Sequence, residues 1–142
     1  MTILSTILGL VSCAQPDGLQ PRALTTEIDR NEYIPTMSSA VGIGLLPVYK
    51  MTSEDIKYHW RTNYGYFVAW DAPDFEVKIF GSDVVNTGEK IYWSYDPNET
   101  GVDKPSVLIS LWIENRQTQQ VVAETNIKVG WEDQDTAIVM NL

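Results

Sequence analysis

The sequence predicts an all-β, antiparallel sandwich of seven or eight strands, and three observations carry that prediction. Apolar residues recur at every second position in short segments, most clearly Ile56, Tyr58 and Trp60, and Val107, Ile109, Leu111 and Ile113, the period of strands with one buried face. Turn chemistry divides these segments at short intervals, at Asn63-Tyr64-Gly65, Asp71-Ala72-Pro73-Asp74 and Asn86-Thr87-Gly88. No long segment of helical period competes, and no internal repeat is visible. Two sheets that bury their alternating faces against each other satisfy all three.

The chain opens on an apolar run from Ile3 to Val11. It has the length of a signal-peptide apolar region and is too short to span a bilayer. The residues that end it, Leu10-Val11-Ser12-Cys13, resemble the lipobox of bacterial lipoproteins, in which the cysteine is acylated and becomes the first residue of the mature chain. The resemblance implies a signal peptide over 1–12, lipidation at Cys13 and a place on the extracytoplasmic face of the cell membrane. No Lys or Arg precedes Arg22, where such signals ordinarily open with positive charge. The alternative is an apolar first strand with an incidental cysteine. Cys13 is the only cysteine, so no disulfide forms within one chain.

Residues 14 to 36 hold three prolines and no apolar periodicity, so 13–36 is expected to be a lipidated N-terminus and tether, with 37–142 forming the domain. Tyr33-Ile34 docking as an edge segment is the alternative, with Pro35 removing a ladder donor beside it. From Met37 onward roughly 105 residues remain, enough for one domain that buries roughly 65% of the unfolded chain's surface.

The strands follow in order. Ala40 to Leu46 is an apolar run closed by Pro47, and Ile56 to Trp60 alternates with Lys57, His59 and Arg61. Tyr66 to Trp70 follows the Gly65 turn, and Phe75, Val77 and Ile79 alternate with Glu76 and Lys78. Gly81 to Lys90 reads as loop, and Ile91, Trp93 and Tyr95 share one face of the next strand. Val107 to Ile113 is the clearest strand. Val121, Ala123, Ile127, Val129 and Trp131 line one face of its successor, and Thr136 to Met140 suits a terminal edge strand.

Ten Lys and Arg against 19 Asp and Glu give a net charge of −9. Such a surface repels phosphates, and no basic stripe overcomes it, so nucleic acid is not an expected partner.

Tyr58-x-Trp60-x-x-x-x-Gly65-x-Phe67 resembles the central hairpin of bacterial immunoglobulin-like and PKD-like surface domains. Gly88-Glu89-Lys90-Ile91-Tyr92-Trp93 resembles their Gly-x-x-(apolar)-x-Trp strand, and Gly101, Pro105 and Val107–Glu114 resemble the turn and long penultimate strand that follow. The resemblance covers about residues 54 to 131 and implies an immunoglobulin-like β-sandwich with Trp60 in its core. It implies no particular activity, since such folds host many roles.

Chemistry-bearing residues are sparse. His59 is the only histidine and lies on the strand face opposite Tyr58 and Trp60. A catalytic triad or a zinc site needs partners that one histidine and no mature thiol do not supply, so no catalytic residue, metal site or cofactor is expected. Asp96-x-Asn98-x-Thr100-Gly101 resembles the start of a calcium loop, but the twelfth position is Val107 where a bidentate Glu is required. Glu132, Asp133 and Asp135, like Asp71 and Asp74, read as solvated turn carboxylates rather than an acid–base pair.

Tyr64, Tyr66, Tyr92 and Trp112 lie on turns or on the less apolar strand faces. They are the candidate partner-binding residues, with packing into core or edge as the alternative. The expected function is a lipid-anchored binding or structural module with a protein or glycan partner. The alternative is a carbohydrate-binding module, which would need these aromatics in one flat exposed row.

Overall fold

The computed structural model describes residues 24–50, 55–98 and 103–140. These form an all-β sandwich of two antiparallel sheets. The first sheet has the order β1-β3-β8-β5-β6, from β1 (Thr25–Ile28), β3 (Ile43–Val48), β5 (Tyr66–Ala69), β6 (Lys78–Gly81) and β8 (Ile91–Ser94). The second has the order β2-β11-β10-β9-β4-β7, from β2 (Glu32–Tyr33), β4 (Ile56–Thr62), β7 (Asp83–Asn86), β9 (Val107–Asn115), β10 (Val121–Trp131) and β11 (Ala137–Met140). The signal-peptide region, Cys13 and the first part of the expected tether lie outside the described residues.

The alternation in β9 converts directly into a core. Val107, Ile109, Leu111 and Ile113 are buried, while Leu108 on the other face is exposed. Trp60 of β4, set opposite Leu111, is buried and meets Phe67 of β5 across the sandwich at a ring separation of 6.0 Å. From β3 and β8, Ile43, Leu45, Ile91 and Trp93 complete the layer. Gly65 makes the β4–β5 turn at φ 82°, a left-handed conformation that suits glycine. A Cβ there would meet the Trp93 indole. Its neighbour Tyr64 accepts the Trp93 indole N–H through its carbonyl at 2.8 Å.

Six expectations need correction. Residues 24–33 do not belong to a tether: β1 pairs with β3, β2 pairs with β11, and Leu24 and Tyr33 are core residues. Tyr33 stays because its ring meets Tyr95 edge-on at 6.0 Å and its carbonyl lies 3.3 Å from the Tyr95 hydroxyl. Pro47 does not close its strand. It falls where β3 has β1 on one side and has already parted from β8, a position that tolerates a missing N–H.

The supposed loop from Gly81 to Lys90 contains β7, whose Val84 packs opposite Trp60. The alternation of Phe75, Val77 and Ile79 is real, but all three are exposed and only Lys78, Ile79 and Gly81 pair, with a register shift at Phe80. With β1, β2 and β7 added, the described residues hold eleven strands rather than seven or eight. Thr136–Met140 is flanked on both sides, by β10 and by β2, because β2 takes the outermost place.

Candidate functional site

Both flanks of the sandwich are made by strands that cross between the sheets through short links. At one flank, β1 and β2 are joined by residues 29–31. At the other, β6 and β7 are joined by Ser82 alone. The first flank is tied down. Asp29 accepts hydrogen bonds from the Gly44 N–H at 2.8 Å and the Arg30 guanidinium at 3.0 Å, and the Lys90 ammonium lies 3.2 Å away. Partial burial pushes the Asp29 carboxyl up, but the bonds from Arg30, Gly44 and Lys90 outweigh burial and hold it below the usual carboxylate range.

The second flank is open. Phe75, Val77, Ile79, Phe80 and Val85 are all exposed, with Ile79 at 66% and Phe80 at 47%. They account for five of the nine large hydrophobic side chains exposed among the described residues, so the apolar surface is concentrated rather than scattered. Beside Phe80 and Val85 the sheets part to leave a cleft of about 390 Å³. Its apolar lining comes from Ala69, Pro73, Phe80, Val84, Val85 and Ile91, and its rim from Asp71, Asp74, Glu76, Glu89, Lys78 and Lys90.

The rim is shaped by its turn. Ala72-Pro73 is a cis peptide, the Asp71 carbonyl accepts the Phe75 N–H at 2.9 Å, and Asp74 accepts the Glu76 N–H at 3.1 Å. Phe75 is left at φ 52°, an uncommon place for a bulky residue. Its ring leans edge-on against Trp70 at 5.4 Å. Glu89 is held by the Thr87 hydroxyl and N–H, each at 2.8 Å, which lowers its carboxyl from the usual value.

The residues singled out in the sequence are not gathered in one place. Tyr64 is half-buried in the β4–β5 turn, edge-on to Trp131 at 5.9 Å. Tyr66 and Tyr92 belong to the five-stranded sheet, where Tyr92 is only 7% exposed, lies edge-on to Trp70 and has the Lys90 ammonium 5.0 Å above its ring. Trp112 is on the other sheet, with the Arg61 guanidinium 5.4 Å from its ring centre. The flat row that a glycan platform needs is therefore not formed by these four. Cys13 lies outside the described residues.

His59 is on the sheet face away from Trp60, as its place in the strand predicts, and bonds Glu114 at 2.8 Å. Lys57 reaches the same carboxylate at 3.4 Å, and together they lower the Glu114 carboxyl, His59 contributing most. Asp96 accepts the Asn98 N–H at 2.8 Å in an ordinary turn, Val107 is buried, and Thr100 and Gly101 lie outside the described residues. Asp133 accepts the Asp135 N–H at 2.8 Å, and that bond is the main cause of its lowered pKa. Among the described residues no group of three or more His, Cys, Asp or Glu is placed to hold a metal ion.

The open flank was missed because a period-two apolar pattern marks a strand with one apolar face and does not say whether another layer covers it. One signal was available: six apolar residues fall between Phe75 and Val85, the first three alternating with Glu76 and Lys78. No family model matches the chain, and no curated protein or solved structure matches it either.

Proposed function

We propose that this chain is a non-catalytic binding module of the cell envelope, anchored through lipid on Cys13, which engages a protein partner through the β6–β7 flank. The observation that carries it is the concentration of five exposed apolar side chains between Phe75 and Val85 at one flank, two of them, Phe80 and Val85, lining a cleft there, on a fold whose other flank is closed by buried Leu24 and Tyr33. A contiguous apolar patch rimmed by charge is the usual form of a protein interface. The membrane address rests on the Leu10–Cys13 segment alone. The glycan reading has less support, because Tyr66 and Tyr92 lie on one sheet and Trp112 on the other.

Two measurements test the proposal. A photo-cross-linking residue at position 80 should capture a protease-sensitive partner in the native host, while the same residue at position 124, on the far sheet, should not. Wild-type chain should take up labelled palmitate, and Cys13→Ala should not. Equal capture from both positions would remove the binding site, and absence of label from the wild type would remove the anchor.

A further inference from the structure

We infer that β6 is a docking edge for an extended segment of the partner that alternates basic and apolar side chains and joins the five-stranded sheet as an added strand. The inference rests on the protein-binding reading above and specifies how that binding is done.

The first support is the edge itself. β6 pairs with β5 on one side and ends its sheet on the other, so one row of its main-chain donors and acceptors faces outward. Exposed edges are ordinarily blunted by brevity, charge or proline. Three of the four sheet edges here follow that rule. β2 is two residues long, β7 opens with Asp83 in an ion pair with Arg61 at 2.6 Å, and β1 exposes Thr25 and Glu27. β6 also opens on a charge, Lys78, and is irregular at Phe80, but it exposes Ile79 and Phe80 within it and Val77 just before it, where none of the other three exposes more than one large apolar side chain. An edge this apolar suits strand addition, in which main-chain bonds supply affinity and alternate side chains supply selectivity.

The second support is charge, which selects the occupant. Asp71, Asp74, Glu76 and Glu89 rim the cleft against Lys78 and Lys90, and Lys90 is already engaged by Asp29. A second copy of this chain would bring the same four carboxylates and a net charge of −9 to the contact, which opposes self-pairing. A segment carrying Lys or Arg at alternate positions meets the acidic rim on one side. Its apolar residues then face the opposite way and cover Ile79 and Val77, which do not line the cleft.

The test titrates the isotopically labelled full chain with a capped seven-residue peptide that alternates lysine and valine. A second peptide has glutamate in place of lysine, and two more are N-methylated at odd or at even positions. The lysine–valine peptide should move the amide resonances of residues 76–81 and slow their hydrogen exchange at least about tenfold. The glutamate peptide should do neither. One N-methylated form should bind like the parent and the other at least about tenfold more weakly, because an added strand uses only one of its two rows of N–H groups.

Unmoved amides, equal binding of the glutamate peptide, or equal binding of the two N-methylated forms would each overturn the inference. So would movement of the same amides on raising the concentration of chain alone, which would assign the edge to a second copy. If the peptides fail while position 80 still captures a protein, the docking mode falls and the module reading stands. Failure of both removes both.

Discussion

The His59 imidazole and the Trp112 indole lie directly opposite each other across β4 and β9, with planes 6° apart and centres 5.0 Å apart. With Arg61 over the same indole and Glu114 bonded to the imidazole, they form a connected strip on the outer face of the six-stranded sheet. The lone histidine thus has a packing role, and Trp112 is held in place by its neighbours. Trp112→Ala should cost about 1–2 kcal/mol, the sum of a cross-strand pair and a partly exposed cation–π contact. An unchanged denaturation midpoint would show that the strip contributes nothing.

Trp60, with Trp93, is one of the two largest side chains buried between the sheets. Its neighbours Phe67, Leu111 and Val84 come from three other strands, so truncation cannot be relieved by a small local shift. Trp60→Ala should destabilise by about 3–5 kcal/mol. A melting temperature within a degree or two of wild type would overturn its place in the core.

Asp29 makes the stability of the first flank depend on pH. Its carboxyl titrates lower in the folded chain than in the unfolded one, despite the opposing effect of burial. Its contribution is therefore present above the unfolded value of about 4, and is lost as pH falls through the folded value. Asp29→Asn should cost about 1–3 kcal/mol at neutral pH and make stability fall less steeply below pH 4. Identical acid limbs in denaturant titrations of the two proteins would contradict this.

Phe75 combines an exposed ring with a left-handed backbone. Asn accepts that conformation more readily, so Phe75→Asn should leave stability within about 1 kcal/mol of wild type, lost Trp70 contact offsetting relieved strain. Partner capture from position 80 should weaken. Clear destabilisation instead would mean that the ring serves the fold and not the partner.

Tyr95 ties β2 to the segment that precedes β11. Its hydroxyl lies within bonding reach of the carbonyls of both Tyr33 and Asp135, and burial raises its pKa well above the ordinary tyrosine value. Tyr95→Phe should cost about 1–3 kcal/mol, because buried carbonyls lose their donor. Faster amide exchange at residues 33 and 135–137 would accompany it, and unchanged protection there would contradict the assignment.

The strands legible in the sequence are those whose own alternation matches their burial. β4 and β9 are the clearest, since each carries apolar residues at every second position and has a strand on both sides. The missed strands take their place from distant partners. Thr25–Ile28 has no strong pattern and is a strand because β3 offers it an edge, and Asp83–Asn86 is one because Val84 fits beside Trp60. Tyr92 was misplaced for a related reason. It is on the outer face of its sheet, opposite Gly44, but Trp70 and the Lys90 side chain cover it. The open flank depends on which apolar face is left without a covering layer, a property of the assembled sheets that no single segment records.

The short clasp formed by β1 and β2 guards two sheets with one stretch of chain. β1 covers the outer side of β3, and β2 covers the outer side of β11. A proteolytic cut between Tyr33 and Ile43 that released the clasp would bare both edges in a single event and remove Leu24 and Tyr33 from the core. Unveiled strands of this kind recruit other chains, so loss of this small N-terminal piece would be felt first as precipitation.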